Sequence, residues 1–184
     1  MTSEQVLDLY RESGGLLEGH FRLRSGAHSA RFLQSTTVLQ DPTRCERLAR
    51  ALAARLATLR ADAVVGPAMG GIWLAYEVAR QLGLRALFAE KAGGAEPRIR
   101  DALSLDPGEK VIAVEDVITK GGSVAGAIAA AEARGATLAA VACIIDRSQA
   151  PLPWAVHSLA KLTIPTYPQD ECPLCRAGVP LQEV

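Results

Sequence analysis

Aromatic side chains and an excess of charge of either sign are what this sequence lacks. Only 4% of its 184 residues are aromatic, and 20 Lys and Arg are balanced by 20 Asp and Glu. Proteins that bind single-stranded nucleic acid commonly stack bases on aromatic rings, and those that bind duplexes or anionic membranes carry a basic face. We therefore expect neither nucleic acid nor a membrane as a partner.

Long apolar runs are also missing, since none reaches the roughly 18 residues that a membrane-spanning helix requires. The stretch MTSEQVLDLYRESGG at the start contains four charged side chains and no apolar signal segment. Four cysteines are too few and too unevenly spaced for a disulfide framework. These absences predict a cytoplasmic protein with reduced thiols.

The first third of the chain predicts two helices separated by strands. Thr2 and Gln5 form a capping-box pattern for a first helix, which the glycines at 14–15 would end. Residues 19–40 alternate loosely and predict two short strands around a turn. Asp41 followed by proline is a helix N-cap signal, and apolar residues recur at helical spacing after it.

From residue 62 onward, short apolar runs alternate with helical segments. The pattern predicts strands at 63–66, 84–90, 111–115 and 138–146, helices at 70–83 and 123–135, and a long loop at 91–108 with a short strand at 98–105. Apolar strands that alternate with helices indicate an α/β fold whose parallel sheet is covered on both faces. Ligands bind such sheets beyond the carboxyl ends of the strands.

The most informative segment is VIAVEDVITKGGSV, residues 111–124. Glu115 and Asp116 stand side by side at the predicted strand end, directly before a turn rich in small and hydroxyl residues. That turn and the N-terminus of the next helix present free N–H groups and a positive dipole end, which suit a phosphate. Two carboxylates would repel a bare phosphate but accept hydrogen bonds from vicinal hydroxyls, so a sugar phosphate fits both parts. The alternative is a solvated turn with Ser123 as the helix cap.

VIAVEDVITKGGS resembles the signature with which type I phosphoribosyltransferases bind phosphoribosyl pyrophosphate (PRPP). The resemblance implies their fold, a Rossmann-like twisted parallel sheet flanked by helices, with a small N-terminal hood. It also implies that Glu115 and Asp116 hold the ribose hydroxyls, while the loop from Thr119 to Ser123 holds the 5′-phosphate. The PRPP-binding residues expected in this segment are Glu115, Asp116, Val117, Ile118, Thr119, Lys120, Gly121, Gly122 and Ser123.

GPAMGG, residues 66–71, is a second candidate anion-binding loop at a helix N-terminus. In the family the equivalent loop holds pyrophosphate, which implies that Pro67, Ala68 and Met69 contact PRPP. Many orotate phosphoribosyltransferases have a bulky residue and a Lys after GPA, whereas this sequence has Met69 and Gly70. The alternative is a tight turn between a strand and a helix.

FAEKAGGAEPRIRD, residues 88–101, leaves a predicted strand and continues into a Gly-Gly loop long enough to act as a lid. Family members cover pyrophosphate with such a loop and neutralise it with basic side chains. The resemblance implies that Lys91 binds PRPP and that Lys91 and Asp116 are the catalytic residues. Arg98 and Arg100 are the other lid candidates, and either could equally be a solvated surface charge.

LRSGAHSARFLQ, residues 23–34, resembles the hood element of orotate phosphoribosyltransferases, and IIDRSQA, residues 144–150, resembles the place where their arginine binds the carboxylate of the base. The resemblance implies that Arg24, Phe32, Thr119 and Arg147 bind orotate. A guanidinium suits this role because its planar fork binds a carboxylate through two hydrogen bonds. His28 is either a further site residue or a surface histidine in the turn.

Together these resemblances span roughly residues 15–150 and imply transfer of ribose 5-phosphate from PRPP to orotate in pyrimidine biosynthesis. They imply Mg²⁺ bound through PRPP rather than in a protein cage, and a homodimer. We expect one domain over residues 1–184, with a hood segment at 1–40, an α/β core at 41–150 and a tail at 151–184. The alternatives are a type I enzyme for another nucleobase and a non-catalytic PRPP-sensing regulator.

The four cysteines fall into two groups. Cys45 lies on the apolar face of a predicted helix and Cys143 inside a predicted buried strand. Cys172 and Cys175 form one C-x2-C pattern, which is half of a tetrahedral zinc site, and the histidine nearest to them in sequence is His157. The pattern leaves open a structured tail, a zinc ion shared across a dimer, and a redox motif, the last being disfavoured by the proline-rich context.

Overall fold

The computed structural model describes residues 1–23, 25–91 and 96–184. Its helices are α1 (Ser3–Glu12), α2 (Ser35–Leu39), α3 (Pro42–Leu56), α4 (Gly70–Leu82), α5 (Gly122–Glu132) and α6 (Pro173–Arg176). Its strands are β1 (Leu16–Arg22), β2 (His28–Leu33), β3 (Ala63–Pro67), β4 (Arg85–Ala89), β5 (Lys110–Ile118), β6 (Thr137–Asp146), β7 (Val156–Lys161), β8 (Thr166–Tyr167) and β9 (Gln182–Glu183). Within these ranges, no helix has the length and apolar character needed to cross a membrane.

A five-stranded sheet in the order β4-β3-β5-β6-β7 forms the centre of the molecule, and all of its strand pairs are parallel. The predicted succession of strand, helix, strand, loop, strand, helix and strand from residue 62 onward is confirmed. Alternate residues of β5 enter two apolar clusters. Ile112 and Val114 pack in the cluster that contains the α3 and α4 side chains, and Val111 and Ala113 in the one that contains those of α5. Both faces of the sheet are covered, which explains why its strands contain continuous apolar runs.

A second, smaller sheet has the order β8-β2-β1-β9. The hairpin β1–β2 lies within residues 1–40, the segment predicted to form the hood, and its two outer neighbours come from the tail. The segment 151–184 therefore belongs to both sheets, since β7 extends the parallel sheet beside β6. Sequence patterns had not indicated any of these three tail strands.

The two helix N-caps predicted in the first third of the chain are confirmed. Thr2 and Gln5 form the reciprocal capping box of α1, and Asp41 accepts hydrogen bonds from the backbone of Thr43 and Arg44 at the start of α3. The predicted second strand ends too late, because residues 35–39 form helix α2. The buried Ser35 hydroxyl hydrogen-bonds the Tyr10 hydroxyl at 2.9 Å, so a tertiary contact outweighs the strand preference of Thr-Thr-Val.

Three local predictions around the lid and the acidic segment are wrong. Residues 98–105 form no strand, and only an isolated antiparallel bridge joins Glu90 to Arg98. Strand β5 continues past the acid pair to Ile118, because it pairs with β6 along its whole length. Gly121, rather than Ser123, is the N-cap of α5, with a φ of 75° that a glycine adopts without steric cost.

Candidate active site

Four loops meet at one edge of the parallel sheet, where β3, β4, β5 and β6 end. The register places Pro67 beside Ala89, so β3 ends level with β4, and Ile118 beside Asp146, so β5 ends level with β6. Parallel strands present all their carboxyl ends at the same edge, which is where ligands bind in folds of this kind. The expectation that the sequence motifs converge at strand ends is therefore met by the sheet topology.

The turn between β3 and α4 is closely packed. A Cβ atom at Gly66 would lie 2.4 Å from the carbonyl oxygen of Gly71, and one at Gly71 would lie 2.6 Å from Cδ of Pro67. The Ala68–Met69 peptide bond is cis, and the Ala68 N–H donates to the Ala89 carbonyl at 2.8 Å. These contacts fix the backbone of the predicted pyrophosphate loop against the end of β4.

The turn between β5 and α5 presents a helix N-terminus to the same edge. A Cβ atom at Gly121 would lie 3.2 Å from Leu152 and 3.3 Å from Trp154, so a side chain there would be crowded as well as strained. Gly122 and Ser123 form the first turn of α5, whose N–H groups have no intrahelical partners. The turn thus supplies backbone donors and a hydroxyl for an anion.

A cleft of about 840 Å³ lies between these two turns and the end of β4. Its wall brings together six residues predicted to bind PRPP, namely Pro67, Ala68, Met69, Lys91, Gly122 and Ser123. The rest of its described wall consists of Ala89, Glu90, Glu96, Pro97, Ala125, Gly126 and Ala129. Residues far apart in sequence therefore share one cavity with anion-binding character at two sides.

The acid pair lies next to this cleft rather than in its wall. Glu115 is 9% exposed and Asp116 is half-buried. The carboxylate of Asp116 faces the first residue of α4, since a Cβ atom at Gly70 would lie 3.6 Å from its Oδ1. The remaining predicted residues of this segment, Val117, Ile118, Thr119, Lys120 and Gly121, also lie outside the described wall of the cleft.

Burial, and secondly the negative charge of Asp116 and a hydrogen bond with it, raises the pKa of Glu115 to about 9. The Glu115 carboxyl is consequently protonated at neutral pH in the free protein. The pair then carries a single negative charge and offers one O–H donor besides its acceptor oxygens.

The three lid candidates differ in their surroundings. Lys91 is exposed and lines the cleft. Arg100 forms an ion pair with Glu90 in which Nη2 donates to Oε2 at 3.0 Å, and Arg98 joins Glu90 through their backbones. Of the three, only Lys91 is both exposed and part of the described wall of the cleft. The Gly-Gly part of the predicted lid, at 92–95, lies outside the described residues.

Of the predicted orotate-binding residues, Arg147 has the most informative environment. Its backbone N–H donates to Ile118 at 2.8 Å, and its Nε is buried without a hydrogen-bond partner in the described parts of the chain. Burial lowers the pKa of its guanidinium from the ordinary value. A partly desolvated cation of this kind is stabilised by an anion that binds to it.

The other predicted orotate-binding residues are Phe32, Thr119 and Arg24. Phe32 is half-buried and packs against Phe21 with ring centroids 6.1 Å apart, Thr119 is exposed, and Arg24 lies outside the described residues. Neither Phe32 nor Arg147 is part of the described wall of the cleft. His28 is 1% exposed in β2, so its reading as a surface histidine in the turn is wrong.

A smaller pocket of about 310 Å³ lies at the end of β6, where Asp146, Ser148, Gln149 and Ala150 of the IIDRSQA segment line it together with residues of the tail. Lys161 and Trp154 from the tail line it together with Asp146. Burial alone would raise the pKa of Asp146, but two hydrogen bonds from Ser148 and the Lys161 ammonium 3.6 Å away outweigh it and lower that pKa. No local signal marks Lys161, because its position follows from the pairing of β7 with β6.

A family model described as a phosphoribosyl transferase domain matches residues 34–167. The chain is 51% identical over 181 residues to an orotate phosphoribosyltransferase of Thermus thermophilus, covering 97% of this chain and 99% of that protein. It is 48% identical over 184 residues to the orotate phosphoribosyltransferase of Heliobacterium modesticaldum, covering 98% and 96%.

Solved structures support the fold. The crystal structure of orotate phosphoribosyltransferase from Aeropyrum pernix matches with a TM-score of 0.72 and 24% identity, covering 85% of this chain and 93% of that one. The orotate phosphoribosyltransferase of Mycobacterium tuberculosis H37Rv in complex with inorganic phosphate matches with a TM-score of 0.71 and 20% identity, covering 86% and 94%.

Proposed function

This chain belongs to the phosphoribosyltransferase family, and from that premise we propose that it transfers the ribose 5-phosphate group of PRPP to orotate. The products are orotidine 5′-monophosphate and pyrophosphate, as in pyrimidine biosynthesis. The observation that carries the proposal is the cleft at the sheet edge, where the turn after β3, the N-terminus of α5 and Lys91 face one cavity. The near-complete coverage of orotate phosphoribosyltransferases at 51% and 48% identity supports orotate as the base.

PRPP binds with its two anionic ends at the two helix N-termini. The 5′-phosphate lies at Gly122 and Ser123, and the pyrophosphate lies at the turn of Pro67, Ala68 and Met69. The first N–H groups of α4 and of α5 have no partners within their helices, and each turn also presents the positive end of a helix dipole. The turn of Pro67, Ala68 and Met69 contains no lysine. Lys91 is therefore the cation of the described cleft wall.

The ribose hydroxyls bind Glu115 and Asp116. A protonated Glu115 and an ionised Asp116 offer one donor and several acceptors, which matches two vicinal hydroxyls better than two like charges would. Asp116 lies against the start of α4, so it connects the ribose end of the ligand to the pyrophosphate turn.

Mg²⁺ fits this site only as an ion bound mostly by the substrate. Carboxylate oxygens are ligands that Mg²⁺ prefers, but Glu115 is buried with a pKa of about 9, so Asp116 is the available carboxylate. The ion supplies positive charge to the pyrophosphate when bound. Asp116 would help to hold it, with the other ligands supplied by PRPP and water.

The reaction is a substitution at C1 of the ribose. Orotate N1 forms the new C–N bond while the C1–O bond to pyrophosphate breaks. The electron pair of that bond leaves with pyrophosphate, and the proton of orotate N1 is released to water or to the departing pyrophosphate. Negative charge develops on the leaving pyrophosphate and positive charge on the ribose ring, so a cation positioned at the pyrophosphate lowers the barrier. Lys91 supplies one such cation to the leaving group, and the residues of the two turns keep the reactants in position.

Arg147 binds the carboxylate of orotate. Its buried, unpartnered Nε and its position directly after β6 support this role among the described residues. Phe32, Thr119 and Arg24 complete the proposed orotate site, with Phe32 covering the base from the hood. The same chemistry favours a base with a carboxylate over uracil, which has none.

We also propose a homodimer that uses one face of α4 and the residue before it. Met69, Trp73 and Tyr76 are 82%, 46% and 66% exposed and recur at helical spacing. Contiguous large apolar side chains on a surface are typical of a protein interface. Because Met69 also lines the cleft, the partner subunit would pack beside the active site.

A steady-state assay with PRPP and each of orotate, uracil, adenine and hypoxanthine tests the function. We expect pyrophosphate release that depends on orotate and yields orotidine 5′-monophosphate. Turnover with another base and none with orotate would assign the chain to a different nucleobase. PRPP binding without turnover on any base would favour the non-catalytic regulator.

A further inference from the structure

Four side chains with metal-binding atoms converge between the hood and the tail. His20 in β1 and His28 in β2 meet Cys172 and Cys175, and their ligand atoms all lie within 4.8 Å of one another. Three of these residues are buried, and Cys175 is exposed. They are the two tail cysteines and two of the three histidines of the chain.

Three of the distances between these atoms match the edges of a zinc tetrahedron. Zinc bonds of about 2.3 Å to sulfur and about 2.0–2.1 Å to nitrogen place ligand atoms roughly 3.3–3.8 Å apart. Sγ of Cys172 is 3.5 Å from Nε2 of His20, while Sγ of Cys175 is 3.7 Å from that atom and 3.3 Å from Nδ1 of His28. The two nitrogens are 2.9 Å apart and need to separate by only about half an ångström to reach that range.

The outer nitrogen of His20 is already oriented. Its Nδ1 lies 2.8 Å from the carbonyl oxygen of Val179, to which a protonated Nδ1 donates. That hydrogen bond leaves the lone pair of Nε2 directed at the two sulfurs, which is the usual arrangement of a histidine that binds a metal.

We propose that His20, His28, Cys172 and Cys175 of one chain bind a single Zn²⁺ ion that fastens the tail to the hood. A tetrahedral set of two sulfurs and two nitrogens is the ligand set that favours zinc. Four protein ligands leave no open position, so the ion is structural and takes no part in the transfer reaction. The proposal is independent of the proposed function, and it takes all four ligands from one chain, unlike the alternative of a zinc ion shared across a dimer.

The ion would stabilise a sheet whose two outer strands are very short. Strands β8 and β9 have two residues each, and they pair with β2 and β1 through two register positions each. Cys172 and Cys175 lie between these two strands in sequence, on either side of the start of α6. A metal at this point would therefore hold the whole tail segment against the hairpin that carries the proposed base-binding Phe32.

Metal content of the untagged full chain, purified without chelators and under reducing conditions, tests the proposal. We expect about one zinc per chain by elemental mass spectrometry, because all four ligands lie in the same chain. Cys172→Ser and His20→Gln should each lower the content to roughly a tenth of that or less. The matched variants Cys45→Ala and His157→Gln replace a cysteine and a histidine outside the cluster, and they should keep the full content.

A spectroscopic readout keeps the test decisive if a variant fails to fold. Co²⁺ exchanged into the folded wild-type protein should show thiolate-to-cobalt charge transfer and the intense d–d bands of a tetrahedral site. The conservative Cys175→Ser change, at the exposed position, should weaken the charge-transfer band. Wild-type protein that contains no zinc and takes up no cobalt would overturn the proposal. So would a Cys172–Cys175 disulfide in that preparation, or zinc that persists in Cys172→Ser.

Discussion

The cleft at the sheet edge and the junction of hood and tail are built in opposite ways. Each loop of the cleft is a short continuous motif, and the parallel sheet brings the motifs together because all strands end at the same edge. The junction depends on partners 152 and 147 positions apart, Cys172 with His20 and Cys175 with His28. The cleft can therefore be recognised one motif at a time, whereas the junction exists only in the folded chain.

Loss of the proposed zinc should produce the largest change, and it should fall on the junction. A ligand present at roughly 1,000 times its dissociation constant contributes about 4 kcal/mol, equivalent to about 10 °C in Tm for a chain of this size. Excess chelator should lower the Tm of the wild type by that amount, measured by calorimetry. The His157→Gln variant should respond to the chelator as the wild type does, and His20→Gln should start from the lower Tm. A wild-type Tm that does not change with chelator would contradict the proposal that zinc stabilises the junction of hood and tail.

Lys91→Ala should produce the next largest effect, and it should fall on the cleft alone. We expect kcat to decrease by about 10²-fold, the scale for loss of one electrostatic contact in a transition state. Stopped or continuous assays of orotidine 5′-monophosphate formation measure it, and Tm should stay near that of the wild type. Arg98→Ala is the matched control because Arg98 is exposed and outside the described wall of the cleft. Equal losses in both variants would show that Lys91 was wrongly selected.

Asp116→Asn should have a smaller effect, confined to ligand binding. The change removes the ionised carboxylate beside the ribose while keeping its size, so PRPP affinity should fall by about tenfold, or about 1.4 kcal/mol. Isothermal calorimetry with PRPP and Mg²⁺ measures this, with Asp170→Asn in the tail as the control. Unchanged affinity in Asp116→Asn would contradict the ribose contact.

Over a single pH unit, the change of stability with pH should be no larger in free energy than the effect of Asp116→Asn, and it reports on Glu115. The pKa of its carboxyl is raised to about 9 from 4.5, so the folded protein binds more protons than the unfolded chain between those values. Stability therefore falls as pH rises through that window, and the loss from this group stops above the folded pKa. Glu115 contributes at most about 1.4 kcal/mol per pH unit to this decrease in the free energy of unfolding, or about 3 °C in Tm. Glu115→Gln should flatten the Tm profile between pH 6 and pH 7, and an unaltered slope would contradict the raised pKa.

The alternating strands and helices of the core were predictable because each is determined by local patterns. Asp41 caps α3 and Gly83 ends α4 through their own backbone and side-chain geometry. Helix α2 was not predictable, since its Thr-Thr-Val sequence favours a strand and a distant Tyr10 hydroxyl holds Ser35. The start of α5 was misplaced by two residues because Gly121 uses a left-handed conformation where a serine cap had been expected.

Some residues of the candidate site and of the metal cluster were likewise predictable from local patterns, and others were not. The motif residues at Pro67, Lys91 and Gly122 could be named from the sequence and are found in one cleft. Lys161 and His20 could not, because neither lies in a recognisable motif and each acquires its neighbours through strand pairing of the tail. Sequence order separates His20 from Cys172 by most of the chain, so distance along the chain pointed to His157 as the nearest histidine instead.

The placement of β8 and β9 on the two sides of the hood hairpin also dictates the order in which the protein can be completed during synthesis. The hairpin leaves the ribosome early, yet both of its edges and two of its four proposed zinc ligands come from residues 166–183. Until those residues emerge, β1 and β2 present unpaired backbone groups that another chain could bind. Strands β3 to β6 of the parallel sheet can pair before the tail emerges, so the nascent chain would assemble the half proposed to bind PRPP before the half proposed to cover the base.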